Sequence, residues 1–266
     1  QSHTINCTYQ YLTPDKIVQY INKCKNTYDK IIVLANPLIL EILSEFTLDI
    51  GEEVKNKILI DSGGAPLSTT AIKWFRENGL NLREGYGLTE TASLTHFDIE
   101  GSNNSIGSVG IEMPGVFTKL INIDNKPLIN IDSPNVGAQL DYNFKNIIKS
   151  HTTYQTEDIG QLDSSGRLTI LGRSNDCIIN NHWPKDTLEI LSTIINQKCA
   201  LVQHTDQDKA LITFWDKQIL TKKEEIIDLL SHYLQIPPAN ITIRSSDGEL
   251  LHSLKLIRSK TKQLGV

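Results

Sequence analysis

The sequence predicts an α/β protein in three successive parts: an α/β part over residues 1–106, a small all-β part over residues 107–172 and an α+β part over residues 173–266. Three observations predict this. Up to about residue 100, short unbroken apolar runs alternate with amphipathic helical patterns, which implies parallel strands joined by crossover helices. From the polar, glycine-rich EGSNNSIGSVG to Gly172 the helical period gives way to short strand-like runs punctuated by turns. After Arg173, helices and strands mix again.

The elements follow in order. TPDKIVQYINKCKN predicts a helix: Thr13 caps it, Pro14 suits the first helical position, and Ile17, Tyr20, Ile21 and Cys24 follow helical spacing. KIIVLANP is a continuous apolar run ended by Asn36-Pro37 and reads as a buried strand of a parallel sheet. PLILEILSEF is helical, and KILIDSGGAPLS is a second buried strand ending in a Gly63-Gly64 turn. TTAIKWFRENG is an amphipathic helix closed by Gly79, and LNLREGYG is a third strand. GVFTKLINIDNKPLINI and EDIGQLDSSGRLTILG read as strands and turns, with Asp163-Ser164-Ser165-Gly166 as a hairpin connection. PKDTLEILSTII is a helix, KCALVQHTD and KALITFW are strands, and TKKEEIIDLLSHYL is a helix with Thr221 and Glu224 as a capping box.

With 266 residues and 39% hydrophobic content, the chain is long enough for two domains, or one large one with an appendage, with real cores. Its net charge of -5 argues against a generic nucleic-acid binder. No apolar run approaches the roughly 18 residues of a membrane span. QSHTINCTYQ lacks the charged start and apolar core of a signal peptide, so a cytoplasmic location is expected. Met113 is the one methionine, and the chain is expected to begin inside a longer gene product. Cys7, Cys24, Cys177 and Cys199 form no CxxC pair and are expected to be reduced, while seven scattered histidines argue against a histidine- or cysteine-based metal site.

The densest motif is REGYGLTETAS, Arg83 to Ser93. Glycines at a strand end allow close approach of backbone to ligand, a Thr hydroxyl bonds phosphate, a Glu carboxylate holds Mg²⁺, and the Tyr86 ring offers its face to a purine. Taken alone, the same segment also reads as a turn, with Thr89 as a helix cap and Glu90 near a helix N-terminus.

YGLTET resembles the YGxTE motif of the adenylate-forming superfamily, which includes acyl-CoA synthetases, aryl-acid ligases, luciferases and peptide-synthetase adenylation domains. Further matches follow in family order. GGAPLS (Gly63 to Ser68) resembles the adenine-side loop, and GSVGIEMPG (Gly107 to Gly115) the stretch leading into the family's β-barrel. YQTEDIGQLDSSGRLTILGRSNDCII (Tyr154 to Ile179) resembles the TGD motif, hairpin and GRxxDxI hinge. LKLIR places Lys255 and Arg258 at GKxxR spacing. The wording of GGAPLS and GSVG is similar to the o-succinylbenzoate-CoA ligase and acyl-CoA synthetase branches.

The resemblance implies a partial N-terminal domain over residues 1–106, a small β-barrel over 107–172 and a C-terminal lid domain over 173–266. It implies that Gly64, Ala65 and Pro66 line the adenine site, that Tyr86 stacks on the base, that Gly87 belongs to the nucleotide-binding residues, and that Thr89 contacts phosphate while Glu90 holds Mg²⁺. Asp158 would hold the ribose hydroxyls, Arg173 would reach the ribose or the phosphate, Asn175 would lie at the hinge, and Lys255 would stabilise charge at the reacting centre. The implied cofactors are ATP and Mg²⁺, with coenzyme A or a phosphopantetheine carrier as acceptor. The implied partners are a small carboxylic acid and a separate N-terminal portion or carrier protein.

Three departures stand out. No STGTTGxPKG-type phosphate loop occurs in the chain. The TGD motif reads Thr156-Glu157-Asp158, placing a negative charge beside the ribose site. The GGxxIxP turn after the hinge is shortened to INNHWP, Ile179 to Pro184. Two readings therefore stand: part of an acid–thiol ligase, or a half-length or degenerate homologue acting as a binding or partner subunit.

Overall fold

Helix α1 (Pro14–Cys24) begins at the proline, whose fixed φ and missing N–H suit a first turn. In the computed structural model, residues 14–44, 50–137, 139–140, 147–149, 152–194, 199–205, 208–214 and 217–245 are described; Thr13 lies outside them. Strand β1 (Ile31–Ala35), helices α2 (Pro37–Leu43) and α3 (Glu52–Lys55), strand β2 (Ile58–Gly63), helix α4 (Thr69–Glu77) and strand β3 (Asn81–Tyr86) follow. β1, β2 and β3 pair in parallel, and the short β4 (His96–Phe97) and β5 (Ile111–Glu112) extend the sheet antiparallel beyond β3. Ile21, Leu40, Val54, Ile60, Phe75 and Leu82 form the core between helices and sheet.

KIIVLANP reads as a fully buried strand, but β1 is buried on one face only. Ile32 is 60% and Leu34 78% exposed, because β1 is the last strand of its sheet and the core cluster takes only Ile31, Val33 and Ala35. Helix α4 is better set than its sequence announces. Ser68 Oγ accepts the Ala71 N–H at 3.1 Å, and Gly79 follows the helix at φ +74°, as expected of a closing glycine.

The middle part consists of β6 (Phe117–Ile123), β7 (Lys126–Asp132), the small pair β8 (Gln139–Leu140) and β9 (Ile147–Lys149), then β10 (Thr153–Leu162) and β11 (Leu168–Arg173). Asp163 Oδ1 accepts the N–H groups of Ser165 and Arg167 at 2.8 and 2.9 Å, fixing the predicted hairpin between β10 and β11. The expected barrel is not closed among the described residues. The four main strands form an open antiparallel sheet in the order β11-β10-β7-β6, and four strands are far short of the roughly eight that enclose a barrel.

The last part comprises α5 (Pro184–Ile194), β12 (Cys199–Thr205), β13 (Lys209–Phe214), α6 (Lys223–Leu234) and β14 (Ile241–Ser245), with sheet order β12-β13-β14. Its core, including Leu191, Ile212, Phe214, Leu230 and Ile243, is separate from the other two. The predicted capping box does not form. A 3₁₀ turn, Lys217–Lys222, precedes α6, and Thr221 Oγ1 donates to Gln218 O at 2.7 Å to close that turn instead. Helix α5 meets α4 through polar contacts: Thr69 Oγ1 donates to Glu189 Oε1 at 3.2 Å, and Thr70 shares a hydrogen bond with Ser192. No described helix is long and apolar enough to cross a membrane.

Candidate functional site

Gly63 of β2 pairs with Gly85 of β3, so the loops after these parallel strands open side by side at the carboxyl edge of the sheet. Gly64 has φ +86°, and a Cβ there would meet nothing within 4 Å, so the loop backbone is open toward that edge. Gly64 and Pro66 are exposed and Ala65 half-buried. Gly87 has a different reason to be glycine: a Cβ would fall 1.3 Å from the Ser93 carbonyl oxygen.

The turn from Leu88 to Ser93 is closed by the Ser93 N–H on Leu88 O at 2.9 Å. Thr91, which is buried, does the capping work that the sequence assigns to Thr89. Its Oγ1 accepts the Leu88 N–H at 3.2 Å and donates to Leu88 O at 3.1 Å. Thr89 and Glu90 are left exposed at the tip. The sequence signal for Thr91 is its place three residues after the start of the turn.

The structure brings Tyr86, Asp158 and Arg173 together. Tyr86 Oη donates to Asp158 Oδ2 at 2.8 Å, and Arg173 Nη1 lies 3.1 Å from Asp158 Oδ1, across the β10–β11 register. Asp158 is buried, and its N–H donates to Thr156 Oγ1 at 3.0 Å. Burial, and then the Asp158 charge, push the Tyr86 phenol well above its ordinary range, so it stays a donor. Arg173 Nη2 also lies 2.6 Å from Glu157 Oε2, a partner that sequence reasoning noticed only as a bulky charge.

These residues fit a nucleotide in part. A carboxylate has roughly four acceptor positions, so Asp158 retains capacity for ribose hydroxyls beside its two present partners. For Mg²⁺ there is no group of three candidate ligands among the described residues. Glu90 suits Mg²⁺ only as one carboxylate beside phosphate oxygens, which is how this ion is usually held.

The segment after Arg173 is tightly tied. Lys126 Nζ donates to the carbonyls of Ser174 at 2.6 Å and Asp176 at 2.7 Å, on either side of Asn175. The Arg173 N–H donates to Asp176 Oδ2 at 2.6 Å. Nothing local in the sequence links Lys126 to this segment. In the shortened INNHWP turn, Asn180 and Asn181 take φ of 45° and 69°, the left-handed region that asparagine tolerates better than most residues. Lys255 lies outside the described residues.

Residues 3–137 match the family model described as AMP-binding enzyme. The chain is 32% identical over 162 residues to a 2-succinylbenzoate–CoA ligase of Lactococcus lactis, covering 57% of this chain and 34% of that protein. In fold it is similar to ATP-bound MatB from Rhodopseudomonas palustris, with TM-score 0.69 and 20% identity over 95% of this chain and 54% of that one. It is also similar to the O-succinylbenzoate coenzyme A synthetase of Bacillus subtilis in complex with AMP, with TM-score 0.64 and 20% identity over 90% and 51% of the two chains. The chain thus spans about a third of the curated relative and about half of each solved structure.

Proposed function

The chain belongs to the family of AMP-binding enzymes, and on that premise we propose that it is the C-terminal part of an ATP-dependent acid–thiol ligase. Such an enzyme couples a carboxylic acid to AMP, releasing pyrophosphate, and then passes the acyl group to a thiol. Coenzyme A is the thiol named in the relatives and is the first acceptor to test, ahead of a phosphopantetheine carrier. The observation that carries the reading is the Tyr86–Asp158–Arg173 array beside the open glycine loop at the carboxyl edge of β2 and β3.

In this reading the ribose hydroxyls donate to Asp158, the base lies between the Gly64–Pro66 loop and the Tyr86–Gly87 backbone, and Thr89 faces phosphate. Glu90 holds Mg²⁺ together with phosphate oxygens. Lys255 stabilises the charge that develops as the acid attacks phosphorus. Residues 173–266 serve as a lid over residues 1–106 and 107–172, turning near Asn175.

The test is ATP–pyrophosphate exchange. The chain alone is expected to be inactive, because a phosphate loop of backbone N–H groups and a Lys is what cradles the outer phosphates of ATP. Joined to a portion carrying that loop, it exchanges pyrophosphate in the presence of the right acid. Persistent inactivity of the joined protein that still binds AMP favours the second reading, a partner subunit without its own catalysis. The Glu157–Arg173 pair is the observation on that side.

A further inference from the structure

The ion pair between Arg173 and Glu157 joins β11 to β10 at the protein surface. Strand β10 alternates, so Thr156 and Asp158 point inward while Glu157 points out, its side chain 69% exposed. Exposed ion pairs add little to folding. Yet Arg173 is not left to Asp158 alone: its fork is split, Nη1 on Asp158 at 3.1 Å and Nη2 on Glu157 at 2.6 Å.

The surrounding charge is lopsided. Burial, and then the charges of Glu90 and Glu157, raise the phenol of Tyr154 on the same strand. Two carboxylates thus face one guanidinium, and half of that guanidinium's fork is on Glu157. A phosphate monoester brings roughly 1.5 to 2 further negative charges at neutral pH.

We propose that Glu157 is an internal competitor for Arg173: it occupies the guanidinium that an anionic nucleotide would use, and so sets a weak affinity for AMP. This rests on the nucleotide reading given above. A nucleotide phosphate must either displace the Glu157 carboxylate or bind beside it against like charge. The effect is electrostatic and exposed, so it fades as salt screens it.

The experiment is calorimetric titration of the 266-residue chain with AMP and, separately, with adenosine, at low and at high salt. Glu157→Gln keeps the shape of the side chain and removes its charge; Glu157→Gly empties the position. Both are expected to bind AMP about tenfold more tightly than the parent at low salt, as fits the release of one charged contact. The gain shrinks at high salt, and adenosine affinity stays level. Equal AMP affinity in the parent and in Glu157→Gln overturns the proposal, as does an equal gain for adenosine, which would mean relief of crowding. Asp158→Ala in the Glu157→Gln background separates the two levels. If it abolishes AMP binding while Glu157→Gln alone has no effect, only the competitor idea fails. If AMP binding is indifferent to Asp158, or no variant binds AMP, the nucleotide site itself is wrong.

Discussion

Glu84 is a carboxyl buried where nothing fully answers its charge, and replacing it with Gln makes the consequence measurable. It sits on β3, two residues before Tyr86, on the face that packs against the helices. Burial raises its pKa from 4.5 to about 7, against the opposing pull of Lys185 and Arg76. Lys185 acts on it by charge from α5, where its Nζ donates to Gly107 O at 2.8 Å and lies 3.4 Å from Glu189 Oε1. A folded-state pKa above the unfolded value means that the native protein keeps a proton the unfolded chain has lost. The contribution of Glu84 to stability therefore falls as pH rises from 4.5 to about 7, and is level on either side. The gap is about 2.5 pH units, and at roughly 1.4 kcal/mol each this amounts to about 3–4 kcal/mol. His96 and His204 act in the opposite sense: burial lowers both to about 4, so their neutral rings lose stability as pH falls from 6.5 toward 4. The overall pH profile mixes these trends, but the difference between Glu84→Gln and the parent isolates Glu84. Urea unfolding followed by circular dichroism at pH 4.5, 6 and 8 is the assay. The advantage of the Gln variant is expected to grow by ~2–3 kcal/mol from the lowest to the highest pH. A difference that stays constant across the range would refute the reasoning, because it would mean that Glu84 ionises in the fold as easily as in water.

Ser68→Ala removes the cap of α4 and is expected to cost about 1 kcal/mol in the same urea experiment. Gly87→Ala places a methyl carbon against the Ser93 carbonyl and is expected to cost at least ~2 kcal/mol, because backbone must move. Gly64→Ala meets no atom and should cost only the ~1–2 kcal/mol of a left-handed backbone; thermal melts of the two variants compare them directly. In a protein joined to a phosphate-loop portion, Lys255→Ala is expected to lower pyrophosphate exchange on the order of 10²–10³ while leaving the melting temperature unchanged.

Local chemistry was the readable part of this sequence. Gly79 after α4 and the Asp163 turn work through neighbours within four residues, so their letters suffice. The same local logic misled at Thr221, where a preceding 3₁₀ turn competed for the hydroxyl, and at Thr89, where Thr91 is better placed to bond back. The apolar letters of β1 suit a strand covered on both faces, but they carry no information on which face the helices of this chain cover. Tyr86 and Asp158 lie far apart in the chain, and only the resemblance paired them in advance. The choice of Arg173 to divide itself between two carboxylates depends on side-chain direction across a hairpin, which no spacing rule reports.

If residues 173–266 turn near Asn175 as proposed, the clasp of Lys126 on Ser174 and Asp176 sets a cost for that motion. Hydrogen bonds from a charged donor contribute about 1.5–3 kcal/mol each. A swing that breaks both without replacement is then populated in only about one molecule in 10² to 10⁴. In that reading a ligand that turns the joint has to supply compensating contacts of that size. In that reading a lysine at the head of β7, rather than the letters around Asn175, sets the cost of the turn.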